Sequence, residues 1–260
     1  MKTAKNLSRL SIFTALFLAN NAFSDAAGNY ENQESATAEK QKPEGWSVDF
    51  GGTYTWMSFT SPPKYTGNTG GVQGKLTYQK PREFFGQARS AYNLGPLSSS
   101  VNKTALHEWY GEFVGGYCFS LLKNWTFTPY VGLGIDYLHD SHTGYSSIAA
   151  IQLRYSTYYA VAGIDTHYTW TDWMLGLQAD CLPVFDQYLN IKTLKGAAWT
   201  LDNRVGVAVR IPAAYRFAEN YWLELAPYYR WLPIGDSGTL GLSDRDLRQW
   251  GAFLTFRFFI

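Results

Sequence analysis

AFLTFRFFI, residues 252–260, alternates along its whole length. Ala252, Leu254, Phe256, Phe258 and Ile260 fall on one side of an extended chain. Phe253, Thr255, Arg257 and Phe259 fall on the other, because successive side chains of a strand point to opposite faces. A soluble protein that exposed the first face would aggregate, so this face belongs in a core or in lipid. The same period governs WSVDFGGTYTWM (46–57), where Trp46, Val48, Phe50, Tyr54 and Trp56 oppose Ser47, Asp49, Thr53 and Thr55. It governs VQGKLTYQ (72–79) as well. Further strands are expected at 84–93, 107–120, 127–138, 150–168, 173–183, 199–217, 221–232 and 248–260, about ten in all.

Composition narrows where such strands live. Aromatic residues make up 17% of the 260-residue chain, with 19 Tyr, 16 Phe and 10 Trp, and Gly is frequent at 24. Mean hydropathy is −0.23, and no run of about 18 apolar residues follows the N-terminus, so membrane helices are not expected. A barrel that alternates apolar and polar residues averages to this near-neutral hydropathy. A formal net charge of +1 argues against nucleic acid as a partner. No cofactor is expected. Cys118 and Cys181 fall at opposite ends of their strands, beyond disulfide reach.

The N-terminal segment MKTAKNLSRLSIFTALFLA, with Ala22-Phe23-Ser24 as a small-x-small site, reads as a signal peptide over residues 1–24. Residues 25–45 are polar and read as a disordered periplasmic leader. Residues 46–260 form the barrel domain. Connections alternate: short ones at 80–83, 121–125, 169–172 and 218–220, long ones near 60–70, 94–106, 139–149, 184–198 and 233–247. Short periplasmic turns and longer external loops are the pattern of outer-membrane barrels. The expected fold is therefore all-β, a closed antiparallel transmembrane β-barrel of about ten strands in the bacterial outer membrane. Its first strand would pair with its last, leaving no free edge. The final strand resembles the assembly signal of bacterial outer-membrane proteins, with Ile260 where Phe is usual. That likeness implies the barrel assembly machinery and outer-membrane lipid as partners. Aromatic girdles are expected at Trp46, Tyr78, Trp125, Trp170, Trp173, Tyr221 and Trp222 on the periplasmic side. Trp56, Tyr92, Trp109, Tyr137, Trp199, Trp231 and Trp250 would form the external one.

Taking the less aromatic face as the lumen gives a charge network. Its acids are Asp49, Glu108, Glu112, Asp136, Asp180, Asp202 and Glu224. Its bases are Lys75, Arg89, Arg154, Arg204, Arg210, Arg230 and Arg257. Hairpin geometry sets Tyr110 opposite Asp136, Arg89 near Glu112, Arg154 near Asp136, Asp180 near Arg204, and Asp49 near Arg257 across the closing seam. Two readings follow: crossing ion pairs that plug a narrow barrel, or an ion pathway lined by both signs. A ten-stranded barrel is little wider than the eight-stranded size that side chains fill, which favours the plug.

Two further patterns carry chemistry. HDSH (139–142) places His139, Asp140 and His142 near His107 at the external rim, a set that could hold a metal such as zinc. Ser141 beside His142 could suggest a hydrolase. The ten-strand plan also resembles the omptin family of outer-membrane proteases, most closely in QLRYSTYYAVAGIDTHYTWTDWMLG (152–176), and also in HEWYGEFVGGYCFSLLKNWTFTPYVGLG (107–134) and the closing hairpin. The resemblance implies an Asp pair in the loop after the third strand and an Asp-His pair in the loop after the seventh. Here the first reads GPLSSSVNKTAL, with no carboxylate. The second reads VFDQYLNIKTLKGA, with Asp186 but no His. The catalytic residues do not carry over. Asp165 and His167 form an Asp-x-His near the periplasmic 169–172 turn, on a strand expected to change phase at a bulge near Gly163.

The expected function is a non-enzymatic barrel with a structural or surface-interaction role, its loop ligand not legible. A narrow porin-like channel is the alternative and a rim-sited hydrolase the second.

Overall fold

The structure, a computed structural model, describes residues 45–60, 64–100, 103–122, 124–142, 152–191, 198–236 and 245–260. The segments read as signal peptide and leader, Gly45 apart, lie outside these residues. Thirteen strand segments follow in order: β1 (Gly45–Thr60), β2 (Tyr65–Gln79), β3 (Phe84–Ser98), β4 (Lys103–Tyr117), β5 (Phe119–Leu122), β6 (Trp125–His142) and β7 (Gln152–Trp170). After them come β8 (Trp173–Ile191), β9 (Ala198–Thr200), β10 (Val205–Arg210), β11 (Ala213–Ala218), β12 (Tyr221–Ile234) and β13 (Arg245–Phe259).

They make ten staves. β4 and β5 are one stave interrupted at Cys118, since both pair with β6. β9, β10 and β11 are another, all pairing with β8. Its break at Ile211 and Pro212 costs no ladder bonds. The Ile211 N–H donates to the Pro227 carbonyl at 2.9 Å, and the Pro212 carbonyl accepts from the Gly176 N–H at 2.8 Å. Each stave pairs antiparallel with the next, and β1 pairs with both β2 and β13. The sheet is closed, with Asp49 opposite Arg257 and Trp56 opposite Trp250 along the seam. Among the described residues no helix is long and apolar enough to cross a membrane; the crossing is made by strands.

Alternation sorts the side chains. Phe50, Val72, Phe113, Leu133, Leu225 and Leu254 stand exposed on the outer face. Exposed aromatics bound this band: Trp46, Phe84, Tyr117, Trp125, Trp170, Trp173 and Tyr221 below, and Trp56, Tyr92, Trp109, Tyr137 and Trp250 above. Trp109 and Tyr117 lie eight residues apart on β4, roughly 27 Å of strand and, at a tilt of about 40°, some ~20 Å of bilayer normal. That approaches the apolar band of a transmembrane barrel. Trp222 is a correction to the expected girdle. It sits on the phase of Glu224 and is buried inside, and Trp199, in register with inward Leu189, packs against the internal apolar cluster instead of the external girdle.

Three of the external connections are shorter than expected, because pairing outlasts the apolar alternation. β2 begins at Tyr65 and runs through TGNTGG, whose glycines give no hydrophobic signal yet pair with β1. A Cβ on Gly71 would stand 2.0 Å from the Tyr92 carbonyl oxygen, so close packing of two staves requires glycine there. β3 and β4 likewise extend to Ser98 and back to Lys103, and β8 to Ile191. The bulge expected near Gly163 lies elsewhere. β7 keeps one phase from Leu153 to His167. The extra residue is in β8, where Tyr158 pairs with Asp186 and Tyr159 with Val184. Beyond it the inward phase of β8 switches from Val184 to Gln187.

Folded protein should migrate differently on a gel before and after boiling, and an unchanged position contradicts the barrel. In lipid, Phe113→Arg at mid-band should destabilise by about 2–4 kcal/mol and Trp250→Arg at the girdle by about 0–1 kcal/mol, measured by reversible denaturant unfolding.

Candidate functional site in the barrel lumen

The lumen is layered. Its external half is dominated by apolar side chains, with Asp140, Thr104, Gln187 and Arg245 among them. Met57, Phe59, Leu97, Leu106, Leu138, Tyr155, Leu189, Leu232 and Leu247 point inward from eight staves and pack into one buried cluster. Below it lies a girdle of charged and polar side chains. Below that, a cavity of about 940 Å³, counting its solvent-filled mouth, opens at the periplasmic end.

The girdle is built from three arginine-centred sets. Arg230 reaches Asp136 at 2.6 Å and Glu108 at 3.0 Å. Glu108 also accepts from Gln249 at 2.6 and 2.7 Å and from Asn93 at 2.9 Å. Arg89 pairs with Glu112 through Nε and with Asp180 at 2.8 Å through Nη2. Tyr130 donates to Asp180, and Tyr159 donates to Glu112 at 2.9 Å. Nearer the periplasm, Asp49 accepts from Arg257 at 3.1 Å and from Lys75 at 2.6 Å, while Glu224 accepts from Arg257. Every carboxylate in these sets is buried, Glu108 completely. Burial on this scale is tolerated because each charge has a partner of opposite sign.

Eleven of the fourteen charges assigned to the lumen from the sequence stand in or beside this network, by the register expected for Tyr110 with Asp136, Arg89 with Glu112 and Asp49 with Arg257. Three do not. Arg154 sits on the outward phase of β7 and faces His139, because Leu153, Tyr155, Thr157 and Tyr159 hold the inward positions. Asp202 and Arg204 fall in the gap between β9 and β10 and are exposed. The partner of Asp180 is therefore Arg89, not Arg204, and Asp136 is held by Arg230, not Arg154.

The alternation rule missed the uncharged members. Tyr130, Tyr155 and Tyr159 point inward although aromatic, and their position in the inward phase was the signal. Gly134 makes room for one of them: a Cβ there would stand 2.4 Å from the Tyr159 ring.

The external His set does not converge. His107 and His139 pair across β4 and β6 with ring centroids 6.0 Å apart, on the outer face. His107 Nδ1 lies 2.8 Å from the Tyr92 hydroxyl. Asp140, one residue on, points inward and accepts from Thr104. Strand alternation thus divides the proposed ligands between two faces. The His142 side chain lies outside the described residues, among which no group of three His, Cys, Asp or Glu is arranged to hold a metal. Ser141 lies 3.4 Å from His139 Nε2, yet the neighbouring acid, Asp140, faces away, so a Ser-His-Asp relay is not formed there. Asp165 and His167, 3.6 Å apart, line the periplasmic cavity, far from the external rim. Asp186 accepts from Tyr188 at 2.6 Å at the other end of the barrel.

No family model matches the chain, and no curated protein does. Among solved structures it is similar to the translocator domain of autotransporter NalP from Neisseria meningitidis, at 8% identity over 97% of this chain and 97% of that one, with a TM-score of 0.46. It is also similar to the Pseudomonas putida toluene transporter TodX, at 10% identity over 85% and 91%, with a TM-score of 0.38. A further neighbour is Ail, the attachment invasion locus protein of Yersinia pestis, at 12% identity over 83% and 99%, with a TM-score of 0.34. The fold rests on the strand pairings themselves. A closed, even-numbered antiparallel sheet with an apolar, aromatic-bounded outer face is an outer-membrane β-barrel.

Arg230→Ala leaves Glu108 and Asp136 buried without their cation. It should destabilise the barrel by about 3–5 kcal/mol, read as a lower unfolding midpoint in lipid.

Proposed function

We propose that the protein is a non-conducting barrel of the bacterial outer membrane that holds its external rim at the cell surface, in a structural or surface-interaction role. The observation that carries this reading is the doubly closed lumen. An ion entering from outside passes Asp140 and Arg245 near the rim, and then meets a layer of leucines, Met57, Phe59 and Tyr155 before it reaches the girdle. Stripping its hydration there has no compensation. Beneath that layer the girdle charges are committed to one another, which leaves no row of free carbonyls or single-sign charges of the kind that conducts.

The reading assigns no catalytic step. The loop positions that match the omptin acid pairs carry no Asp pair and no Asp-His pair. Assembly runs through the closing strand β13, whose outward Leu254, Phe256 and Phe258 are suited to the barrel assembly machinery and to lipid.

The mature protein, refolded and inserted in a planar bilayer, should give no steady conductance at low or high salt. Discrete steps from protein shown by gel shift to be folded would make it a narrow porin instead.

A further inference from the structure

We propose that the periplasmic cavity is a binding site for slender organic carboxylates, with Arg210 as its anion hook. The inference goes beyond the closed-barrel reading and is measured apart from it.

Arg210 is unlike the other lumen bases. Lys75 and Arg257 are held by Asp49 and Glu224, Arg89 by Glu112 and Asp180, and Arg230 by Glu108 and Asp136. Among the described residues the Arg210 side chain makes no ion pair and no hydrogen bond; its contact is a ring. Its guanidinium lies 4.6 Å from the centroid of buried Phe253, and Phe253 is itself stacked on Tyr228 at 4.3 Å and 18°. A stacked guanidinium is fixed in orientation while its N–H groups stay unused, and their fork geometry matches a carboxylate in bidentate fashion. Ordering the side chain has already been offset by the stack, so little entropy is left to lose on binding.

Arg210 stands at the deep end of the cavity, and it also borders a second, much smaller space beside Arg89 and Arg230. Trp222 lines the wall nearer the mouth. It is 3% exposed, and its indole N–H has no acceptor among the described residues. Arg210 is in register with Tyr228, six residues up β12 from Trp222, about 20 Å of strand. A ligand that reaches Arg210 from the periplasm is therefore elongated. Gln178 is in register with Arg210, and the wall also carries Gln87, Thr77, His167 and the carboxylates Asp165 and Glu224, which suit a polar body with hydrogen-bonding groups along its length rather than a hydrocarbon chain.

The girdle sets the strength. Its upper two sets hold four carboxylates, Glu108, Glu112, Asp136 and Asp180, against Arg89 and Arg230. Their surplus negative field acts on Arg210 without contact and opposes an arriving anion. The expected affinity is accordingly weak, with a Kd on the order of 1 mM.

The test is NMR of folded protein labelled at arginine and tryptophan in micelles, following the Arg210 Nε–H resonance, assigned by its loss in Arg210→Lys. The probes are N-acetyl-trialanine and its C-terminal amide. The acid should shift the resonance saturably in the millimolar range and the amide should not. Arg210→Lys should weaken binding about tenfold, read at the Trp222 indole N–H. Equal shifts with acid and amide, or no saturable shift with the acid, would overturn the proposal; that comparison uses the native protein and needs no variant to fold.

Discussion

A strand edge in hydrocarbon leaves backbone N–H and C=O groups without water or protein partners, at several kcal/mol for each group. Everything else in this structure follows from avoiding that cost. The sheet closes by pairing β1 with β13 along almost their full length. The eighth stave keeps its ladder across a proline by passing the bonds to Pro227 and Gly176. Glycines such as Gly71 stand where two staves approach too closely for any side chain. Once the edge is gone, the outer face is free to be dressed only for lipid.

Closure at ten staves fixes the size of the interior, and size decides what the interior does. A wider barrel would hold water and its charges would be solvated; in this one the inward side chains meet across the axis. Arg230 of β12 reaches Glu108 of β4 and Asp136 of β6, and Arg89 of β3 reaches Asp180 of β8. Such pairs cross the lumen instead of following one hairpin. They tie opposite walls together, and removing one member strands its partners in a low dielectric. The apolar cluster above them adds a second seal of different chemistry. On the closed-lumen reading two places remain usable, the external rim and the periplasmic cavity, and Arg210, whose side chain makes no ion pair among the described residues, stands in the second.

Period-two alternation made the fold legible, and it placed most of the girdle because hairpin register follows once the turns are placed. It failed where sequence carries no alternating signal. The Gly-rich start of β2 pairs by backbone alone. A rule that turns every aromatic residue to lipid puts Arg154 inside, whereas Tyr155 and Tyr159 fill the lumen and leave Arg154 on the outward phase. The pairing of Asp180 with Arg89 joins residues 91 apart; it depends on curvature across the barrel, which no local pattern encodes. His107, His139 and Asp140 looked like one cluster in the chain, and alternation itself separates them.

The most direct test of a closed lumen is sidedness of thiol labelling. Gln79 lines the cavity near its mouth, so Gln79→Cys, with Cys118 and Cys181 replaced by Ser, places a single thiol on the periplasmic side of the seal. In proteoliposomes of known orientation, a membrane-impermeant maleimide added on the periplasmic side should label it, and the same reagent added outside should not. Labelling from both sides at comparable rates would show a continuous passage and contradict the account.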